Sequence, residues 1–478
     1  MDGVGNSGVL SRVPPVVEDR QCKDKHSNIK RKNIILKPSR CIFPRIFSRL
    51  RTFFHTLFFG QALKLRKCRT IKETDQTKAE KITRFTTVLN EYVSTGIKIN
   101  KLPNLTPKIN EILHNMRAFV QGNNLSLDEI STLRTALANF SRNEEVIRLY
   151  PGHSSSINAS DHNQYCFRIA LRIEAIEILL DAKEKNYVRL ERNGPPETLG
   201  RGQYNTVLLA YTKKNKKRAI VLKPCDRSKQ EQDSKRFNDD SQLMKQLVGY
   251  RSGSHRRNKA TSRLQDMLCD IGLRNGITVP HVIASVFGAE VNGIPCIGME
   301  KVDGLTLAQA VREGKIPSEN NDFIRSATWV QLQDVLTGQI DRHGNNIILA
   351  KGTIPVAIDH DLSFSTSQAR TSAGTIPKTL FAVDDASLRN HCIPPVIDED
   401  MYKVIKDINL DELEKMYREC GLTSSEIDPA MARAQALKKK VEKLKQHGLV
   451  IKPDEWERSE QVKRLCTPKN FYALSRGN

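Results

Sequence analysis

The stretch LTGQIDRHGNNIILAKGTIPVAIDHDLSF, residues 336–364, crowds Asp341, Arg342, His343 and Asn346 onto one turn and sets Asp359 and Asp361 behind two short apolar runs. Ile347–Leu349 and Val356–Ile358, divided by the turn formers Lys351, Gly352 and Thr353, predict a pair of short strands. The preceding ATWVQLQDVLTGQ, residues 327–339, predicts a helix that feeds the polar turn. Taken singly, each polar group has an ordinary use: Asp and Asn cap turns, and a lone His makes a local hydrogen bond. Their order is less ordinary, because it puts an acid and an amide before one hairpin and two acids after it.

Upstream, ETLGRGQYNTVLLAYTKKNKKRAIVLKP, residues 197–224, places Gly200 and Gly202 before the strand-like Val207–Ala210, with a basic turn leading to Ala219–Leu222 and Lys223. The pattern predicts a glycine-containing hairpin followed by a strand that ends in lysine. It excludes a Rossmann fingerprint, which needs a helix directly after its glycines, and a Walker loop, which needs Gly-Lys-Ser/Thr. Glycines let a backbone approach an anion closely, although a Gly-x-Gly in a hairpin turn is common on its own.

Together these motifs resemble a known family. D-R-H-x-x-N followed by I-D-x-x is similar to the catalytic and metal-binding loops of the phosphoinositide 3/4-kinase-like branch of the kinase fold, and AIDHDLSF resembles the metal loop of type II phosphatidylinositol 4-kinases. G-x-G-x-x-N-T-V and L-T-G-Q-x-D-R-H also resemble kinase-like effectors that Gram-negative bacteria deliver into host cells. The resemblance spans roughly residues 195–365. It implies an α+β, two-lobed kinase-like fold, with a β-rich N-lobe over 191–304 and a mainly helical C-lobe over 305–450. It further implies ATP and Mg2+ as cofactors and a hydroxyl acceptor on a host phosphoinositide or host protein.

Residue by residue, the resemblance makes Gly200, Gly202 and the Asn205–Val207 stretch a phosphate loop, with Lys223 on the phosphates. PCIGMEKVDGLTL resembles the hinge, with Met299, Glu300 and Val302 meeting adenine through their backbone. Asp341 becomes the catalytic acid, His343 a transition-state phosphate contact, and Asn346 and Asp359 the magnesium ligands. Arg342 is read as structural or electrostatic. Asp361 stands where many kinases have a loop glycine. One departure concerns the helix SHRRNKATSRLQDMLCDIGL, which has Arg256, Arg257, Asn258 and Lys259 where an acid would pair with Lys223, Asp266 being the nearest acid. That departure supports a second reading, a catalytically weak kinase-like module that binds a host protein or membrane.

The rest of the chain bounds these readings. A length of 478 residues with 38% hydrophobic content supports two or three domains around real cores. Ten scattered cysteines with no C-x-x-C pair argue against a zinc cage or disulfide framework and for a reducing compartment. Residues 1–75 hold 17 Lys+Arg against 6 Asp+Glu, half of the formal net charge of +22. This basic tail, expected to be largely disordered and solubilising, has no apolar run near its start, which disfavours a cleaved secretory signal. With the effector resemblance, the expected route is secretion without a cleaved signal into a host cell, and residence in its cytosol or on its membranes. Such charge suits an anionic membrane surface or a secretion chaperone; nucleic acid is the less favoured partner. Residues 42–60 carry Ile46, Phe47, Leu50, Phe53, Phe54, Leu57 and Phe58 at helical spacing, a basic amphipathic helix for a membrane interface or for docking on protein.

Residues 76–190 predict a helical accessory region. Ser126 and Glu129 have capping-box spacing ahead of one helix, and YCFRIALRIEAIEILLDAKEK predicts another. MYKVIKDINLDELEKMYREC and DPAMARAQALKKKVEKLKQHG predict amphipathic helices, with Thr423 and Glu426 spaced as a capping box before the second. Residues 451–478 read as a basic C-terminal segment.

Overall fold

The computed structural model describes residues 77–94, 102–142, 159–184, 197–201, 206–211, 219–225, 253–291, 293–315, 320–339, 342–364 and 394–465. The expected basic tail with its helix at 42–60 lies outside the described residues, as do Gly202, Asn205 and Asp341.

Four helices open the described chain: α1 (Lys78–Ser94), α2 (Leu102–Gly122), α3 (Leu127–Arg142) and α4 (Ala159–Glu184). Their apolar positions, among them Leu89, Leu113, Met116, Leu133, Leu137, Ile173 and Ile176, meet in one buried cluster. The box before α3 forms: Glu129 accepts from the Ser126 N–H at 2.7 Å, and Ser126 Oγ accepts from the Glu129 N–H at 3.2 Å.

Five antiparallel strands follow, β1 (Glu197–Arg201), β2 (Thr206–Tyr211), β3 (Ala219–Pro224), β4 (Val286–Val291) and β5 (Ile294–Glu300), in the order β1-β2-β3-β5-β4. One face packs Ile220, Leu222, Phe287, Ala289, Val291 and Cys296 together. On the other, Val286 and Ile297 receive Ile178 of α4. Gly288 makes this approach possible, since a Cβ there would stand 2.3 Å from the Ile178 carbonyl oxygen. Helix α4 thus buries apolar side chains against both the helical cluster and the sheet, and Asp181 also accepts the Gly288 N–H of β4 at 2.6 Å.

Between β3 and β4 comes α5 (Ser254–Arg274), whose Ala260, Leu264, Leu268 and Ile271 belong to the largest core. A third face of α4 meets it through charge. Glu177 takes a two-pronged bond from Arg256, at 2.6 Å for both contacts, Asp181 pairs with Lys259, and Glu174 accepts the His255 N–H at 2.7 Å.

After β5 the chain forms β6 (Gly304–Thr306), α6 (Leu307–Arg312) and α7 (Asn321–Thr337), then β7 (Ile347–Ala350) and β8 (Ile354–Ala357). Strands β6, β7 and β8 make a second, small antiparallel sheet. Asn320 caps the start of α7, and Gly338 ends it at φ 62°. The second sheet is tied to the strap after α5, where the Ala357 N–H donates to Val282 O at 2.7 Å and the Ala284 N–H donates to Ala357 O at 3.1 Å.

The described chain closes with β9 (Ile397–Asp398), α8 (Glu399–Lys406), α9 (Leu410–Glu419), α10 (Ser424–Gln446), β10 (Val450–Ile451) and α11 (Glu460–Leu465). MYKVIKDINLDELEKMYREC is thus two helices. Asn409 divides them by accepting from the Asp411 and Glu412 amides at 2.9 and 3.3 Å. Helix α10 starts at Ser424, ahead of Asp428, after Glu426 accepts from the Thr423 N–H at 2.9 Å. The architecture is mixed α+β, rich in helix with small sheets. Among the described residues no helix is long and apolar enough to cross a membrane, and Cys225, Cys269, Cys296 and Cys420 are free thiols.

Candidate active site

Lys223 sits on β3 opposite Ile297 of β5, with its side chain 15% exposed. Its Nζ lies 2.8 Å from Asp359 Oδ1 and 3.6 Å from Asp361 Oδ2. Burial disfavours its charge, but Asp361 and Asp359 outweigh burial and hold the ammonium protonated, above its ordinary range. Burial likewise pushes the Asp359 carboxyl upward, and Lys223, Arg342 and the Asp361 N–H reverse that, holding it below the usual carboxylate range. Both groups are ionised at neutral pH, and Asp359 keeps 39% of its side chain open to solvent. It therefore remains available to a further cation.

The backbone of Asp359 adopts φ 59°, in the left-handed region that a non-glycine residue rarely enters. Three neighbours hold it there. Gln339 Nε2 donates to Asp359 O at 3.1 Å, the Ile358 N–H donates to Asn346 O at 3.0 Å, and Arg342 reaches Ile358 O at 2.9 Å.

Arg342 organises this region from within, at 1% exposure. Its Nε and Nη2 bind both oxygens of Asp334 on α7 at 2.9 Å, while Nη1 donates to Asn346 O at 3.0 Å and to Ile358 O. Nη2 also meets His360 Nδ1 at 3.2 Å. An arginine here can only donate, so His360 Nδ1 accepts and its proton lies on Nε2, facing Ala357 O at 3.4 Å. Burial and the Arg342 cation hold His360 neutral, well below its ordinary range. One guanidinium thus fixes the two backbone segments that carry Asn346 and Asp359.

Asn346 closes a single 3-10 turn, Gly344–Asn346, which His343 precedes and caps by accepting the Asn345 N–H on Nδ1 at 3.2 Å. Asn346 is buried. Met299 and Glu300 end β5, paired with Val221 and Ile220 of β3, and Val302 lies in the connection to β6. Gly200 lies in β1 opposite Val207, at a register shift from Thr198. Asp341 immediately precedes Arg342 in sequence and Gly202 follows the end of β1, both outside the described residues.

Several groups here escape a sequence reading. The partner of Lys223 is not Asp266, which is exposed on α5; it is the carboxylate pair on the loop after β8. From α5 comes Asn258, whose Nδ2 donates to Asp361 Oδ1 at 2.6 Å and whose Oδ1 accepts the His360 N–H at 3.1 Å. Arg257 Nη1 adds a bond to Asp361 O at 3.1 Å, while its Nε binds Glu426 of α10 at 2.8 Å. The spacing of Asp359 and Asp361 was the available signal, because two acids flanking one residue can share a cation.

Among the described residues no group of three or more His, Cys, Asp or Glu side chains is arranged to hold a metal ion. Asn346 and Asp359 offer instead one amide and one ionised carboxylate. Those are hard oxygen donors suited to a magnesium ion that keeps waters and shares phosphate oxygens.

No family model matches the chain and no curated protein does. Among solved structures, a point mutant of the Mycobacterium tuberculosis PknI kinase domain is similar at 13% identity and a TM-score of 0.20 over 51% of this chain and 93% of that one.

Proposed function

We propose that this chain is an ATP- and magnesium-dependent phosphotransferase of the phosphoinositide 3/4-kinase-like branch. The observation that carries the reading is the Lys223–Asp359 pair at 2.8 Å, which joins the five-stranded sheet to the loop beside Asn346. A nucleotide triphosphate with its cation requires an ammonium, an amide and a carboxylate, and Lys223, Asn346 and Asp359 supply those groups in this reading. Asn346 and Asp359 would hold magnesium, which when bound neutralises the phosphate oxygens. Lys223 steadies the phosphates and the backbone of Met299–Val302 receives adenine. Asp341 orients the acceptor hydroxyl and takes its proton, and His343 meets the transferred phosphoryl group.

In this reading the acceptor is a host phosphoinositide or a host protein hydroxyl, and the protein acts after delivery into a host cell. Its basic tail serves an anionic membrane or a secretion chaperone. A second reading, a catalytically weak module that binds a host protein or membrane, draws on Asn258 standing on α5 in place of an acid. Label transfer from ATP with magnesium to phosphoinositide vesicles and to host lysate, with wild type and Asp341→Asn, separates the two. Transfer by wild type that collapses in the variant supports the enzyme, and no transfer by wild type to either acceptor supports the binding module.

A further inference from the structure

Lys223 has two carboxylates within reach, and only one of them belongs to the candidate metal set. If Asp359 turns to a cation, a partly buried ammonium needs another counter-ion, since leaving a buried charge unpaired is costly. Asp361 is already in place. Its carboxylate is oriented from α5 by Asn258, which is 3% exposed and uses its donor on Asp361 Oδ1 at 2.6 Å and its acceptor on the His360 N–H at 3.1 Å. Asn258 Nδ2 also donates to Ser254 O at 2.8 Å, which ties the amide to its own helix. Arg257 holds the Asp361 carbonyl from the same helix. None of these bonds depends on Asp359.

We infer that Asp361 is a positioning residue for Lys223, the counter-ion that Lys223 keeps when Asp359 engages magnesium and nucleotide, and that Asn258 is the residue that orients it. This rests on the nucleotide reading given above and goes beyond it by naming the residues that aim the lysine. The charge that would be sought on the helix is carried by the loop, and the helix contributes the neutral amide that turns it. Helix α5 is itself anchored to α4 through Arg256–Glu177 and Lys259–Asp181, so the accessory helices reach Lys223 through Asn258.

The test is equilibrium binding of ATP, with magnesium and separately in EDTA, alongside thermal unfolding of the full chain without nucleotide. The proteins are wild type, Asp361→Asn, Asn258→Asp and the double variant. In the double variant amide and carboxylate exchange places: the bond between positions 258 and 361 persists with its donor reversed, and the His360 N–H still finds an acceptor. The negative charge, however, has left residue 361. Each single variant is expected to melt earlier and to bind ATP about tenfold more weakly. The double variant should melt above either single variant but short of wild type, because a carboxylate at 258 no longer donates to Ser254 O, while its ATP affinity stays about tenfold weak in both conditions. Wild-type affinity in the double variant, or undiminished binding by Asp361→Asn, overturns the inference and leaves the nucleotide reading standing. No ATP binding by wild type refutes the nucleotide reading, and this inference with it.

Discussion

Lys223 Nζ on β3 lies 2.8 Å from Asp359 Oδ1 in the loop after β8, and this ion pair connects residues 136 positions apart in the chain. Replacing Lys223 by Met keeps most of the apolar stem and removes the charge. Asp359 and Asp361 then repel one another without a shared cation, and phosphate loses its ammonium. ATP affinity should fall about tenfold to a hundredfold, as expected when a charged hydrogen-bond partner is removed from a partly buried site. Isothermal titration with Mg·ATP checks this, and an unchanged dissociation constant would contradict the role given to Lys223.

Arg342 makes a different prediction, because it binds backbone and a buried acid. Arg342→Ala strands Asp334, whose carboxyl burial already pushes upward against the pull of Arg342, and it frees the carbonyls of Asn346 and Ile358. Breaking a buried ion pair in this way costs about 3–5 kcal/mol. Urea unfolding measures it, and a loss below about 1 kcal/mol would place this arginine among ordinary surface pairs.

The contact between α4 and α5 should respond to pH in a defined way. Burial pushes Glu174 up to about 7 from 4.5, with Glu177 adding to it and the His255 and Gly253 amides and Arg256 opposing. Burial holds His255 down to about 4 from 6.5, with Lys259, Arg134 and Arg256 adding to it and Asp181 opposing. The Glu174 contribution to stability is complete below pH 4.5 and is lost as pH rises to about 7. The His255 contribution is complete above pH 6.5 and is lost as pH falls to about 4. Asp181 is held low by Lys259, His255 and the Gly288 amide against burial, so it titrates below this window. Between the Glu174 and His255 reference values the two slopes oppose each other in the wild type. Glu174→Gln leaves the rising limb of His255, so its stability should climb relative to wild type by about 1.4 kcal/mol per pH unit. Urea unfolding at several pH values decides it, and parallel profiles would refute the burial of Glu174.

Gly288→Ala tests the seat of α4 on the sheet. The added Cβ meets backbone, at 2.3 Å from Ile178 O and 2.9 Å from Ala182 N, so neither neighbour can swing away. A loss of about 1–3 kcal/mol is expected from such overpacking, read as an earlier unfolding midpoint. No change would mean that α4 sits farther from β4.

These outcomes separate what local pattern reveals from what only packing decides. The hairpin after α7 was legible because its signals are local: two apolar runs and the Lys351–Gly352–Thr353 turn between them. The Ser126–Glu129 and Thr423–Glu426 boxes were legible for the same reason. The break at Asn409 was not, since one apolar period continues through it and a single side chain makes the cap. The partner of Lys223 was hidden more deeply. An amide buried on a basic helix looks like a solvated residue until Asp361 and His360 arrive from a distant loop. Helix α4 did carry a signal: Glu174, Glu177 and Asp181 recur at helical spacing within its apolar C-terminal half, and Arg256 and Lys259 on α5 carry the complementary charge.

If Lys223, Asn346 and Asp359 hold ATP with magnesium for phosphoryl transfer, as proposed, release of the γ-phosphate depends on the Asp359 carboxylate. Wild type and Asp359→Asn are incubated with labelled ATP and magnesium, with host lysate and phosphoinositide vesicles present as acceptors, and their melting curves are recorded in parallel. The substitution keeps the shape of the side chain and removes its charge. Transfer or hydrolysis by the wild type that disappears in Asp359→Asn, while the variant still unfolds in one cooperative transition, is the predicted result. Equal turnover in the two proteins would contradict the account.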